Sequence, residues 1–267
     1  MKRNGFYLIV SLLSVFCITS CISGNNVQEG QALGVMGYSS SYTPIMNSTF
    51  GPVYSPTIAN LLDKGDLRMG RCYIFNYTFD SDLPENAQSV VNVNKYYTIT
   101  LNAYNEIPSY NIESYLTDTS KVLTDEVAIL KVFEESTYLE GFLFISQAVE
   151  QPSDLQLNWD MSYDYSSMMP NVEDNKNYYD VFVRATKKNT GSASTVAMQY
   201  LNAYYMKRYL SDAASKEKAL LGSGYSESSS KFTLRFVYVS AIDKDTQAIT
   251  WKNHPIEVLI SSFLDEY

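Results

Sequence analysis

The chain offers few side chains for polar chemistry, and their spacing argues against most mechanisms. His254 is the only histidine, set in Asn253-His254-Pro255, a turn-like tripeptide between two strand-like runs. A Ser-His-Asp or Cys-His mechanism would need that one imidazole beside a nucleophile, and no G-x-S-x-G elbow occurs. Asp160 and Asp164 follow Trp159 in an acidic, aromatic stretch suggestive of sugar chemistry. Four strand residues separate these acids by about 13 Å, whereas glycosidase carboxylates stand roughly 5–9.5 Å apart. Glu173-Asp174 and Asp243-Lys244-Asp245 are short acidic turns without the ligand spacing and glycine of an EF-hand loop. With one histidine and few cysteines, no zinc site is expected; neither G-x-G-x-x-G nor G-x-x-x-x-G-K-[ST] is present. No catalytic, metal or cofactor site is expected, and no cofactor.

Cysteine gives the one covalent expectation. Lys2 and Arg3 precede the apolar run Phe6 to Ile18, the layout of a secretory leader and short of the roughly 20 apolar residues of a spanning helix. The run ends in Ile18-Thr19-Ser20-Cys21, which resembles the bacterial lipobox. The resemblance implies cleavage before Cys21 and lipidation of its thiol. Durable anchoring takes more than one acyl chain, which a triacylated cysteine provides. Cys17 leaves with the leader, so Cys72 remains as the sole free thiol and no intrachain disulfide is possible.

Composition sets the scaffold. Of 267 residues 45% are hydrophobic and 18% charged, enough to bury a sizeable core. The 23 tyrosines against two tryptophans favour the pleated, half-buried surface of a sheet, so a mostly β fold is expected. Loss of Lys2 and Arg3 takes the net charge from −9 to −11, which opposes binding to phosphate backbones; nucleic acid is excluded as a partner.

Along the chain, residues 1–20 are expected to be the leader and 21–37 a small, polar, glycine-containing spacer. Ile58 to Leu62 forms a brief helix ending near Gly65. In the following strand Tyr73, Phe75, Tyr77 and Phe79 share one face, and Tyr97, Ile99 and Leu101 share a face of the next. Asn105 to Leu116, with Pro108, is a connection. Seven further strands are expected at Val127–Phe133, Thr137–Ile145, Leu155–Tyr163, Tyr178–Ala185, Val196–Ala203, Phe232–Val239 and Ala248–Trp251, with one short helix from Met206 to Leu221; this pattern suits an antiparallel sandwich. On Leu155–Tyr163 the alternation puts Trp159 in the core and Asp160 and Asp164 on the opposite face.

The lipobox Ile18 to Cys21, the run Gly70-Arg71-Cys72-Tyr73-Ile74-Phe75-Asn76-Tyr77-Thr78-Phe79 and the strand Tyr96-Tyr97-Thr98-Ile99-Thr100-Leu101-Asn102 together resemble the NigD-like lipoproteins of the Bacteroidota. That resemblance implies a small OB-like N-terminal domain, here residues 38–116, followed by a C-terminal β-sandwich, residues 117–267. The first two OB strands are not legible between Val35 and Asp66. The family brings no catalytic residues, so only Cys21 transfers.

The function expected is that of a non-catalytic envelope lipoprotein that binds a protein or glycan partner. The alternatives are a fimbria-type assembly subunit and a glycan-active enzyme. Ile22 to Gln28 has no acidic residue, whereas surface-exported lipoproteins of that phylum often carry an acidic cluster after the cysteine. The periplasmic face of the outer membrane is therefore preferred to the cell surface.

Overall fold

A computed structural model describes residues 26–115, 118–165 and 169–264. The chain divides into two compact units, Met1–Ser109 and Tyr110–Tyr267. The leader and Cys21 lie outside the described residues.

The first unit is built from β1 (Val27–Tyr38), β2 (Pro44–Ser48), β3 (Gly51–Tyr54), α1 (Pro56–Asp63), β4 (Cys72–Asp80), α2 (Gln88–Asn94), β5 (Tyr97–Thr98) and β6 (Thr100–Ile107). Its strands follow the order β5-β3-β2-β1-β4-β6. Only Ile99 separates β5 from β6, and its N–H donates to the Tyr54 carbonyl at 2.9 Å. Tyr97–Ile107 is therefore one run that pairs parallel with β3 at its start and antiparallel with β4 beyond, which closes a five-stranded OB barrel. Met36, Met46, Val53, Tyr73, Phe75, Ile99 and Leu101 fill it. Ser55 caps α1 by accepting from the Thr57 N–H, Pro56 opens the helix, and Ile58 is fully buried in the same core.

The polar spacer expected through Gly37 is corrected here, because β1 starts at Val27 and pairs with both β4 and β2. Its glycines conceal the strand, since large side chains of neighbouring strands lie over them. A Cβ on Gly30 would meet the Tyr77 ring hydroxyl at 2.8 Å, and one on Gly34 would meet Met46 Cγ at 2.5 Å. The barrel's first two strands are thus present although no apolar alternation announces them. The loop after β4 also carries α2, a helix the sequence did not signal. Asn86 pins that loop, donating to the Asp80 and Thr98 carbonyls and accepting from the Thr98 N–H.

The second unit contains β7 (Ser109–Asn111), β8 (Ile129–Leu139), β9 (Phe142–Pro152), β10 (Leu157–Ser162), β11 (Asn171–Glu173), β12 (Lys176–Lys187), β13 (Thr195–Tyr205), α3 (Lys207–Leu221), β14 (Lys231–Ile242) and β15 (Ile249–Leu259). They form two sheets, β7-β13-β9-β8 and β10-β12-β14-β15, with β11 added to β12. The boundary expected at 116/117 falls at 109/110, because β7 already joins the sandwich and Tyr110 stacks on Tyr204. Trp159 is buried as the alternation requires, beside Leu155, Leu157, Met161 and Tyr163. On α3 the residues Tyr209, Leu210, Ala213, Ala214 and Glu217 recur at helical spacing and are the buried ones.

Two further expectations change. The strand expected at Thr137–Ile145 spans a hairpin turn at Glu140-Gly141, both with positive φ, so β8 runs on to Leu139; that is the two-residue turn whose twist suits a hairpin. The final strand does not stop at Trp251 but runs to Leu259, so Asn253-His254-Pro255 is strand and not turn. Proline is tolerated there because β15 is an edge strand.

Candidate binding site

The residues singled out in the sequence do not converge. His254 stands on β15 opposite Phe236; burial holds its pKa below the usual histidine value, and Nε2 has no hydrogen-bond partner among the described residues. Cys72 is fully buried, and burial pushes its thiol up to about 12, far from a reactive thiolate. Asp243 closes its own turn by accepting from the N–H groups of Asp245 and Thr246 and from the Thr246 hydroxyl. Among the described residues no group of three His, Cys, Asp or Glu side chains is placed to hold a metal ion.

The structure instead gathers residues around the middle of β12. On one side β10 pairs with β12 only as far as Phe182, and β11 takes over only from Tyr178. Among the described residues, 179–181 therefore have no ladder partner on that side, and a pocket of about 420 Å³ opens there. That is a volume suited to a small ligand. Tyr163, Tyr178, Tyr179, Phe182 and Tyr209 supply rings, while Asp164, Asn171 and Asp180 supply polar groups. Met169 and Val172, both more than 60% exposed, stand at its mouth.

Its floor is fixed by charge. Asp180 and Arg235 lie directly opposite in the parallel pair β12–β14. Arg235 Nε donates to Asp180 Oδ1 at 2.6 Å and Nη2 to Oδ2 at 2.8 Å, a two-pronged bond that fits the planar guanidinium. Its Nη1 reaches Glu173 Oε2 at 2.6 Å, and this bond holds the Glu173 carboxyl below its usual pKa. The guanidinium also sits 4.4 Å from the Tyr178 ring centre. Behind the opening, Tyr209 donates its hydroxyl to the Asp180 carbonyl, which occupies the unpaired stretch of β12. Tyr179 donates to Glu217 at 2.9 Å, so α3 is clamped to the sheet; desolvation, followed by that bond, raises the Tyr179 pKa.

Of the sequence candidates, Asp164 lines this pocket and Glu173 braces its floor, while Asp160 is not among the lining residues. Asp180, Arg235, Glu217 and Tyr209 were missed. A signal existed for two of them: Asp180 and Arg235 are charges inside otherwise apolar strand runs, which the rule against unpaired buried charge marks as partners.

Residues 24–105 match the family described as Lipoprotein OB domain. Over this segment the chain is similar to that family. The match covers nearly the whole closed barrel, from just before β1 to near the end of β6. With the lipoprotein OB domain in place ahead of a sandwich, the resemblance to the NigD-like lipoproteins stands. An uncharacterised protein from Parabacteroides merdae has the same fold over both units, at a TM-score of 0.72 and 23% identity, covering 86% of this chain and 99% of that one. A toxin-related protein from Parabacteroides distasonis reaches 0.50 at 11% identity, over 87% and 94%. A NigD-like immunity protein from Bacteroides caccae reaches 0.46 at 11% identity, over 90% and 99%. The sequence matches no curated protein. Among the described residues no helix is long and apolar enough to cross a membrane.

Proposed function

We propose that the chain is exported, lipidated on Cys21 and held at the periplasmic face of the outer membrane, where it works by binding a partner and not by catalysis. The observation that carries this reading is the lipoprotein OB domain itself, which begins immediately beyond the lipobox. Because β1 starts at Val27, the stretch from Cys21 to the barrel reaches at most about 20 Å when fully extended. The anchor would thus keep the OB barrel close to the headgroups.

The test compares wild type with Cys21→Ser by intact mass and membrane fractionation, with protease shaving of whole cells. A lipid mass and membrane partitioning that both vanish in the variant support the anchor, and resistance to shaving supports the periplasmic face. A soluble, unlipidated wild type overturns the anchor. Affinity capture from envelope extract with the membrane-bound protein tests binding, and turnover of an envelope substrate by the pure protein would overturn the non-catalytic reading.

A further inference from the structure

We propose that the end of the OB barrel where β1 begins is a membrane-docking face, which rests Val27, Leu83 and Val93 among zwitterionic lipid headgroups. This goes beyond the function proposed above and rests on its lipid anchor at Cys21.

Three observations select that end and that partner. The first is where the chain enters. Cys21 stands six residues before Val27, so an anchor there holds the start of β1 within about 20 Å of the bilayer. The other end of β1, Tyr38, lies eleven residues further on, about 36 Å along the strand. A barrel standing on its tether meets the membrane with its Val27 end.

The second is apolar surface at that end. Val27 is 47%, Leu83 36% and Val93 77% exposed. Hydrogen bonds tie their backbone together. Val27 pairs with Asp80, the Ser81 N–H donates to the Asn26 carbonyl at 3.0 Å, and the Asn26 amide reaches both Asp82 oxygens at 2.7 Å. In the loop and helix that follow, Asn86 and Val91 are buried while Leu83 and Val93 are left outward. Behind them stand rings. Phe50 lies 4.6 Å from Tyr77, which covers Gly30 of β1, and Phe79 meets Tyr97 edge-on at 5.8 Å. Aliphatic tips backed by tyrosine rings suit the headgroup region, where an apolar body and a wet hydroxyl are both accommodated.

The third is charge. Residues 80–95 carry Asp80, Asp82 and Glu85 against Lys95 alone. An anionic leaflet repels such a segment, whereas zwitterionic headgroups do not. Arg68 and Arg71 pair with Glu106 beside the start of β4, which lies against Val35 and away from Val27.

The experiment uses the lipidated protein purified from membranes and reconstituted into vesicles of phosphatidylcholine, and of phosphatidylcholine with phosphatidylglycerol. Val27→Cys, Leu83→Cys and Val93→Cys each receive an environment-sensitive fluorophore, and Tyr42→Cys, at a position 85% exposed between β1 and β2, is the control. Cys72 is fully buried and Cys21 acylated, so the label enters at the new cysteine. Circular dichroism checks each fold, and Leu83→Cys and Val93→Cys carry the test if the strand variant Val27→Cys unfolds. Labels at the docking face that shift to the blue and are quenched about twofold or more by nitroxide-bearing lipids, with Tyr42→Cys unchanged and less quenching in phosphatidylglycerol, support the proposal. Labels that stay in water on protein that floats with the vesicles overturn the face and leave the anchor standing. Equal quenching at Tyr42→Cys overturns it, because the barrel then lies flat. Stronger quenching in phosphatidylglycerol overturns the zwitterionic partner. A blue shift without lipid quenching, rising with protein density, shows a second copy on this face and overturns it. Wild type that does not float overturns the anchor and the face together.

Discussion

Arg184 and Glu126 form a two-pronged ion pair with side chains 1% and 0% exposed, Nε to Oε1 at 2.6 Å and Nη2 to Oε2 at 2.7 Å. Two of the remaining guanidinium hydrogens reach the carbonyls of Asp118 and Lys121, so one strand side chain holds a whole loop. Removing one partner leaves a buried charge unmatched. Glu126→Ala should therefore destabilise the protein by about 3–5 kcal/mol. The double variant Arg184→Met with Glu126→Leu should cost clearly less than the sum of the two single changes. Urea unfolding of wild type, Glu126→Ala, the two single changes Arg184→Met and Glu126→Leu and the double variant measures this, and single variants within about 1 kcal/mol of wild type would show that the pair is not a lock.

Gly34 sits where β1 passes from its β4 ladder to its β2 ladder, and a Cβ there would meet Met46 at 2.5 Å and the Phe75 ring at 2.9 Å. Both neighbours are almost fully buried and have nowhere to go. Gly34→Ala should lower the stability of the OB barrel by about 1–3 kcal/mol through overpacking. Gly37→Ala, which meets only the Asn47 side-chain amide at 3.1 Å, should cost much less. Thermal melts of the two variants compare them directly, and equal melting temperatures would overturn the close-approach argument.

Asp154 accepts from the N–H groups of Ala193 and Ser192 and from the Ser192 hydroxyl, and these bonds, the Ala193 N–H foremost, lower its pKa. Glu173 and Asp243 are lowered in the same sense by Arg235 and by the Thr246 N–H respectively. A depressed folded pKa contributes stability that is present above the unfolded value, about 4, and lost as pH falls through the folded value. Stability should thus be level near neutrality and fall below about pH 4. Asp154→Asn should lower it at pH 7 while narrowing the gap to wild type in acid. Denaturant melts across pH provide the check; a constant gap at every pH would remove Asp154 from the acid limb.

How much could be read beforehand depended on where the side chains sit. The run Tyr73, Phe75, Tyr77, Phe79 announces β4 because every second residue is a large ring facing one core. The same test fails on β1, where Gly30, Gly34 and Gly37 give up their own side chains to make room for Tyr77, Met46 and Asn47 from adjacent strands. His254-Pro255 suggests a turn by residue type, yet an edge position frees one side of the strand from the ladder and lets proline remain within β15. Asp180 and Arg235 are far apart in sequence and carry no spacing motif, so only the parallel register of β12 and β14 makes them a pair.

The sequence by itself determined the β-rich class, most of the sandwich strands, the helix after β13 and the expectation of a lipid anchor at Cys21. Those follow from local periodicity and from a linear motif, both of which act within a few residues along the chain. The tertiary structure alone decided the closure of the barrel through Ile99, the burial of Arg184 against Glu126, and the opening beside β12 with Arg235 beneath it. Each of these depends on which strands become neighbours, and strand pairing joins residues whose separation along the chain leaves no periodic trace.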